Sequence, residues 1–262
     1  MKLIQSSDNP FFKELAKLAS FSRSRKKSGK TLLDGAHLIS SYLDEGCKPL
    51  HVLLNAHALQ DDEITALLAR LQGVPVTQLD DKLFAELSEL KTTTGMLALI
   101  EVPNDQPSAC RFALLLEDIQ DPGNLGSMLR SAAAAGCDAV FLSPGCADAW
   151  SPKVLRAAMG GHFCIRIHEG QDLSRVAAAF PGMRVATSLQ AAHNLYECDL
   201  SGDIAFMIGN EGAGLSDQLL ALSTHAVRIT MPGGVESLNA AAAAAICLFE
   251  AVRQRLMIGR SK

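Results

Sequence analysis

Three short stretches combine glycines with polar residues at spacings that suit a ligand: DPGNLGSMLR (121–130), IGNEGAGLS (208–216) and MPGGVESLN (231–239). Each offers side chains that could do chemistry. The Asn124 and Asn239 amides both donate and accept hydrogen bonds, whereas an ionised Glu211 only accepts and suits a cationic or hydroxylic partner. Arg130 carries a guanidinium that is effectively never deprotonated when free. Ser237 and Asn239 start a helix, where side-chain and backbone donors can face a ligand. Neither common phosphate loop fits, because there is no GxxxxGK[ST] and no GxGxxG after the first strand. The GNEGAG segment comes late and holds Glu211, which would repel a pyrophosphate. A dinucleotide-dependent dehydrogenase is therefore disfavoured. No GxSxG nucleophile elbow occurs, so serine hydrolase chemistry has little support. Taken singly, each stretch could be a tight turn, with Asn124, Ser216 or Ser237 capping the helix behind it. Three such turns at the carboxyl ends of strands in one sheet are expected to line one crevice.

The elements that must position these residues alternate. FALLLEDI, AVFLSP, CIRIHE, MRVATSL, DIAFMIGNE and HAVRITM read as strands. NLGSMLRSAAAAG, SPKVLRAAMGG, DLSRVAAAF, SDQLLAL and SLNAAAAAAICLFEAVRQRL read as helices. This predicts an α/β domain over 112–262 with a parallel sheet covered on both faces. The polyalanine of the last helix has the best helix propensity and permits close packing. PNDQPSACR, 103–111, reads as a linker. Ahead of it, 31–102 reads as a small α/β domain, with strands TLLDG, LHVLLN, VPVTQL and MLALIEV and helices HLISSYLDEG, EITALLARL and KLFAELSEL.

Residues 1–30 begin with a helix, DNPFFKELAKLAS, capped by Asp8 or Asn9 with Pro10 in its first turn. Phe11, Leu15 and Leu18 fall on one face. SFSRSRKKSGK follows, with Arg23, Arg25, Lys26, Lys27 and Lys30, and its serines and glycine suggest a mobile basic arm. Such a run is either a solvated loop or a phosphate-contacting arm. Lys153 and Arg156, on the SPKVLRAAMGG helix, are a second candidate phosphate contact, against a solvated face. Trp150 reads as a packing residue.

Composition narrows the classes. With 262 residues, a net charge of −4 and 48% apolar residues, the chain can bury a real core but has no global basic field, so a nucleic acid must meet a local patch. Seven cysteines, odd in number and without a CxxC pair, suggest a reduced cytosolic chain without disulfides or zinc. The histidines show no HxxxH, so no metal is expected. The N-terminus lacks a long apolar stretch, and AAAAAAICLFEAV is too short and too mild to span a bilayer.

In order and spacing, the three stretches resemble the motifs of the SpoU (TrmH-like) family of RNA 2′-O-ribose methyltransferases, within the SPOUT superfamily. They read DPGNLGSMLRSAAAAG, IGNEGAGLS and RITMPGGVESLNAAAAAAI. NPFFKELAKL, LLDGAHLI and TTTGMLALIEV resemble the family's substrate-binding domain, so the likeness covers nearly the whole chain. Two positions depart from the family pattern: Asp34 stands where a glutamate is usual, and ITMPGG lacks a proline before its methionine.

The resemblance implies S-adenosylmethionine as cofactor and a ribose 2′-hydroxyl as acceptor, in ribosomal RNA over transfer RNA. It implies a deep trefoil knot in the C-terminal SPOUT domain and a homodimer, and the cysteine usage suggests a cytoplasmic location. Arg130 would activate the hydroxyl, either as a base with a lowered pKa or as a charged group that binds phosphate and stabilises developing alkoxide. Asn124 would orient the arginine or the ribose, and Glu211, Ser237 and Asn239 complete the catalytic set. The backbones of Gly209, Ile229 and Leu238 would hold adenine and ribose. The alternative is a non-catalytic RNA-binding protein that keeps the fold. Loss of Asn124, Arg130 or the SLN segment would favour it, and all three stand here.

Overall fold

A computed structural model describes residues 1–90, 95–104 and 109–259. Part of the expected linker, 105–108, and the threonines that open TTTGMLALIEV lie outside these residues. The chain divides into two compact units, Met1–Asn104 with Trp150–Phe163, and Asp105–Ala149 with Cys164–Lys262.

The first unit runs β1 (Lys2–Ile4), α1 (Pro10–Ser20), α2 (Ser22–Ser28), β2 (Lys30–Asp34), α3 (Ala36–Asp44), β3 (His51–Leu54), α4 (Asp62–Arg70), β4 (Val76–Leu79), α5 (Asp81–Leu87) and β5 (Met96–Glu101). Its sheet has the order β1-β4-β3-β5-β2 and is mixed, because β5 runs antiparallel to both neighbours. The edge strand β1, three residues long and largely exposed, carries too little pattern to be read from sequence. Asn9 caps α1, its Oδ1 accepting from the N–H groups of Phe11 (2.9 Å) and Phe12 (3.3 Å). Phe12, not Phe11, joins Leu15 and Leu18 in the core against Leu32, Leu53 and Leu97.

The basic run is a helix, α2, and not a mobile arm. Arg25 turns inward and is only 5% exposed. Its guanidinium donates to the Leu18 and Ala19 carbonyls at the end of α1. Gly29, at φ 65°, ends the helix with its N–H on the Arg25 carbonyl. The glycine that suggested a break is the cap, since the left-handed region costs glycine little.

Trp150–Phe163, which the sequence places in the second domain, belongs to the first unit. It carries α7 (Pro152–Ala158). Thr31 Oγ1 donates to the Trp150 carbonyl at 2.7 Å, and the Tyr42 and Phe163 rings meet edge-on at 5.0 Å. Trp150 itself is buried.

The second unit runs β6 (Phe112–Leu116), α6 (Pro122–Ala134), β7 (Ala139–Leu142), β8 (Arg166–His168), α8 (Leu173–Ala179), β9 (Met183–Thr187), β10 (His193–Asn194), β11 (Ile204–Ile208), α9 (Asp217–Leu222), β12 (His225–Arg228) and α10 (Ala240–Gly259). Seven strands form one sheet in the order β10-β12-β9-β11-β6-β7-β8, with every pair parallel. The runs FALLL, AVFL and IAFMI are buried throughout, as a sheet covered on both faces requires. After β6 the chain builds outward on one side through β7 and β8, then returns to build the other side. β6 and β11 therefore flank the switch point at which such sheets bind ligands. α10 packs on α6 and β11. Its Ala240, Ala241, Ala244 and Ala251 are buried, so small side chains let the two helices approach closely. No helix among the described residues is long and apolar enough to cross a membrane.

Candidate active site

Leu116 at the end of β6 pairs with Ile208 at the end of β11, so the loops leaving these strands start side by side. Asp118 stands at φ 53°, an uncommon value for a residue with a side chain. Bonds hold it there. Its N–H donates to Ser143 Oγ (2.9 Å), the same hydroxyl donates to its Oδ1 (2.6 Å), and its carbonyl accepts from Asn210 Nδ2 (3.0 Å). Further along, Glu117 Oε2 accepts from the Ser216 N–H at 2.7 Å. The loop after β11 is thus tied to the end of β6 at both of its ends.

Asn210 also shapes the turn from within. Its Oδ1 accepts from the N–H groups of Gly212 (2.9 Å) and Ala213 (3.1 Å), and its carbonyl from that of Gly214 (2.8 Å). A Cβ on Gly209 would collide with the backbone of Gly214 and Leu215, so only glycine fits where the turn folds back on β11.

Helix capping differs from the simple reading. Asp121, not Asn124, caps α6, its Oδ1 accepting from the Asn124 N–H at 2.7 Å. Asn239, not Ser237, caps α10, its Oδ1 accepting from the N–H groups of Ala241 (2.9 Å) and Ala242 (3.2 Å). Ser216 does cap α9. The Asn124 side chain is thereby free for other partners. Its Nδ2 donates to Glu211 Oε1 at 2.7 Å, and its Oδ1 accepts from Asn239 Nδ2 at 2.8 Å. One residue from each of the three stretches thus enters a single line, Asn239–Asn124–Glu211.

Glu211 opens onto a cavity of about 450 Å³, within the range of small-ligand sites. The loop after β11, Gly209 to Leu215, lines it, as do Ile229, Met231 and Leu238. Thr187, the last residue of β9, and Leu189 and Gln190 beyond it close it. Two carboxylates, Glu211 and Asp217, border it. Arg228 lies at the rim, but its guanidinium is engaged by the Ala191 (2.6 Å) and Ala192 (3.0 Å) carbonyls.

Arg130 stands nearly two turns along α6 from Asn124. It is exposed and makes no hydrogen bond or ion pair among the described residues. Glu211 takes the Asn124 amide and not this guanidinium. Of the expected RNA contacts, Arg23, Lys26, Lys27, Lys153 and Arg156 are exposed in the first unit, whereas Arg25 is buried and occupied by carbonyls. The sequence reading missed Thr187, Leu189, Gln190 and Asn210. Thr187 and Leu189 lie at the carboxyl end of the strand run MRVATSL and Gln190 follows it, so that strand end was the available signal. Burial pushes the Cys137 and Cys247 thiols up to about 12, which leaves them inert.

Residues 111–249 match the model of the SpoU rRNA methylase family. The chain belongs to this family. Residues 9–98 match an MRM3-like substrate-binding domain. Among the SpoU methylase's relatives is the 23S rRNA (guanosine(2553)-2′-O)-methyltransferase RlmP of Bacillus subtilis, 34% identical over 95% of this chain and 98% of that protein. An uncharacterized tRNA/rRNA methyltransferase of Synechocystis sp. is also 34% identical, over 96% of this chain and 94% of its own length. In structure the chain resembles the SpoU methyltransferase AviRb from Streptomyces viridochromogenes, solved with AdoMet. The TM-score is 0.83 at 29% identity, over 95% of this chain and 98% of that one. In this SpoU methylase, Gly209, Glu211, Ile229, Ser237 and Leu238 all line the cavity, and Asn124 and Asn239 reach it through Glu211.

Proposed function

We propose that the protein methylates a ribose 2′-hydroxyl of RNA, ribosomal RNA over transfer RNA, with S-adenosylmethionine as donor. The observation that carries this reading is the Asn239–Asn124–Glu211 line, which draws the three stretches together at one cavity wall. The names of RlmP and AviRb support the substrate and the cofactor. The residues present fit the donor. The cavity has the right size class, its lining mixes glycines and aliphatic residues with polar ones, and its two carboxylates favour a positively charged guest.

S-adenosylmethionine supplies an electrophilic methyl group when bound. Backbone groups of Gly209, Ile229 and Leu238 would hold its adenosine, which explains why apolar residues serve there. Asn124, fixed at both ends, keeps the Glu211 carboxylate in place. Ser237 adds a hydroxyl at the cavity edge. Arg130 is free to meet the RNA as a cation. It would bind a phosphate and stabilise negative charge as the 2′-hydroxyl gives up its proton to water.

The first unit would select the RNA, through Arg23, Lys26 and Lys27 of α2 and Lys153 and Arg156 of α7. A homodimer, a cytoplasmic location and the family's trefoil knot belong to the same reading. The chain path supports the knot. From β12, two strands away from β11, the chain returns to pack α10 on α6 and β11.

The test is transfer of tritiated methyl from S-adenosylmethionine to ribosomal RNA that lacks the modification. Label in an alkali-resistant dinucleotide is expected, and absence of label from both ribosomal and transfer RNA sinks the proposal. Arg130→Ala should keep its cofactor affinity and lose about a hundredfold or more in turnover. Near-normal turnover would remove Arg130 from the mechanism.

A further inference from the structure

Residues 10–30 hold seven basic side chains (Lys13, Lys17, Arg23, Arg25, Lys26, Lys27 and Lys30) against one acid, Glu14, in a chain whose net charge is −4. Three of the seven are engaged. Lys13 pairs with Asp8 at 2.8 Å, Lys30 lies 3.6 Å from Glu14, and Arg25 is buried. Lys17, Arg23, Lys26 and Lys27 are exposed and form no ion pair among the described residues. On α2, Arg23 stands three and four residues before Lys26 and Lys27, so the three share a face.

Phe21 sits among these cations, at the corner where α1 ends and α2 begins, and is 60% exposed. Lys17 is one turn behind it. The corner is rigid. The Phe21 N–H donates to the Lys17 carbonyl (2.9 Å), and its own carbonyl accepts from the N–H groups of Ser24 (3.0 Å) and Arg25 (3.3 Å). The buried Arg25 guanidinium then bolts α2 to the last turn of α1. A scattered exposed apolar residue needs no explanation. An aromatic ring held out by a clamped corner, beside four unpaired cations, has a chemistry of its own. A π-face stacks on an unpaired base while neighbouring cations neutralise the flanking phosphates. A duplex offers the phosphates but keeps its bases inside. The patch lies within residues 9–98, which match the substrate-binding model.

We infer that Phe21, with Lys17, Arg23, Lys26 and Lys27, forms a stacking platform for an unpaired base of the RNA substrate. This deepens the proposed function and rests on it. The test uses the full chain, RNA hairpins carrying a single 2-aminopurine in an unpaired loop, and a fully paired duplex of equal length. Phe21→Ala should weaken hairpin binding about tenfold and abolish quenching of the 2-aminopurine. Phe21→Trp should restore both, and affinities for the duplex and for S-adenosylmethionine should not change. Unchanged hairpin affinity and quenching in Phe21→Ala, or full function in Phe21→Leu, overturns the platform. Binding of polyglutamate with the same dependence on Phe21 also overturns it, by assigning the surface to an acidic protein. Failure of the unsubstituted protein to transfer methyl, with quenching intact, counts against the proposed function and leaves the platform standing.

Discussion

Asn124 works through both ends of its amide, accepting from Asn239 and donating to Glu211. Few side chains can do both in one fixed geometry. Asn124→Asp replaces the donor with a second carboxylate beside Glu211, and like charges at that range favour sharing a proton. The variant should lose most methyl transfer at pH 8 and recover part of it as pH falls toward about 5, where one carboxyl is protonated and can donate again. A pH–rate profile with the shape of the unsubstituted protein's would show that donation by residue 124 is immaterial. Sequence marked Asn124, Glu211 and Asn239 as catalytic candidates through the three stretches that resemble the SpoU motifs, and Glu211 also as a carboxylate among glycines. It did not assign the caps. DPGN and SLN each offer two cap-competent residues within three positions, and only backbone torsions choose between them. Nor did it find Thr187, Leu189 and Gln190, which carry no motif and gain meaning only from where β9 ends.

At the scale of elements, α2 was the hardest to read. Arg23, Arg25, Lys26 and Lys27 look alike in sequence, and nothing local marks Arg25 as the one that reaches carbonyls six and seven residues back. Arg25→Ala should lower stability by about 2 kcal/mol, because two helix-end carbonyls lose a charged donor. Arg23→Ala, at an exposed position, should cost less than about 0.5 kcal/mol. Urea titrations with unchanged m-values would check this, and an equal small effect at both positions would remove the clamp. The strands of the second unit, by contrast, were plain. Runs such as FALLL and IAFMI are short, continuous and bounded by turn residues, which is how strands buried on both faces read.

For the whole molecule, alternation of strands and helices predicted the parallel sheet but not its order, which depends on pairings far apart in sequence. The allegiance of Trp150–Phe163 was equally hidden, since its partners in the first unit, Thr31 and Tyr42 among them, lie far away in sequence. The net charge of −4 conceals the cationic corner, so RNA affinity should depend on salt more than that figure suggests. Changing Arg23, Lys26 and Lys27 together to Gln should reduce the slope of log affinity against log salt by about 2; an unchanged slope would return these residues to the solvated surface. The line through Asn124 also bears on timing. It joins residues 87 and 115 positions apart, and contacts of such long range close late in folding. On the ribosome, a growing chain can complete no part of this line with Asn239 until that residue has emerged. A nascent chain can thus hold folded strands and a formed first unit while the Asn124 amide still lacks the hydrogen bond from Asn239.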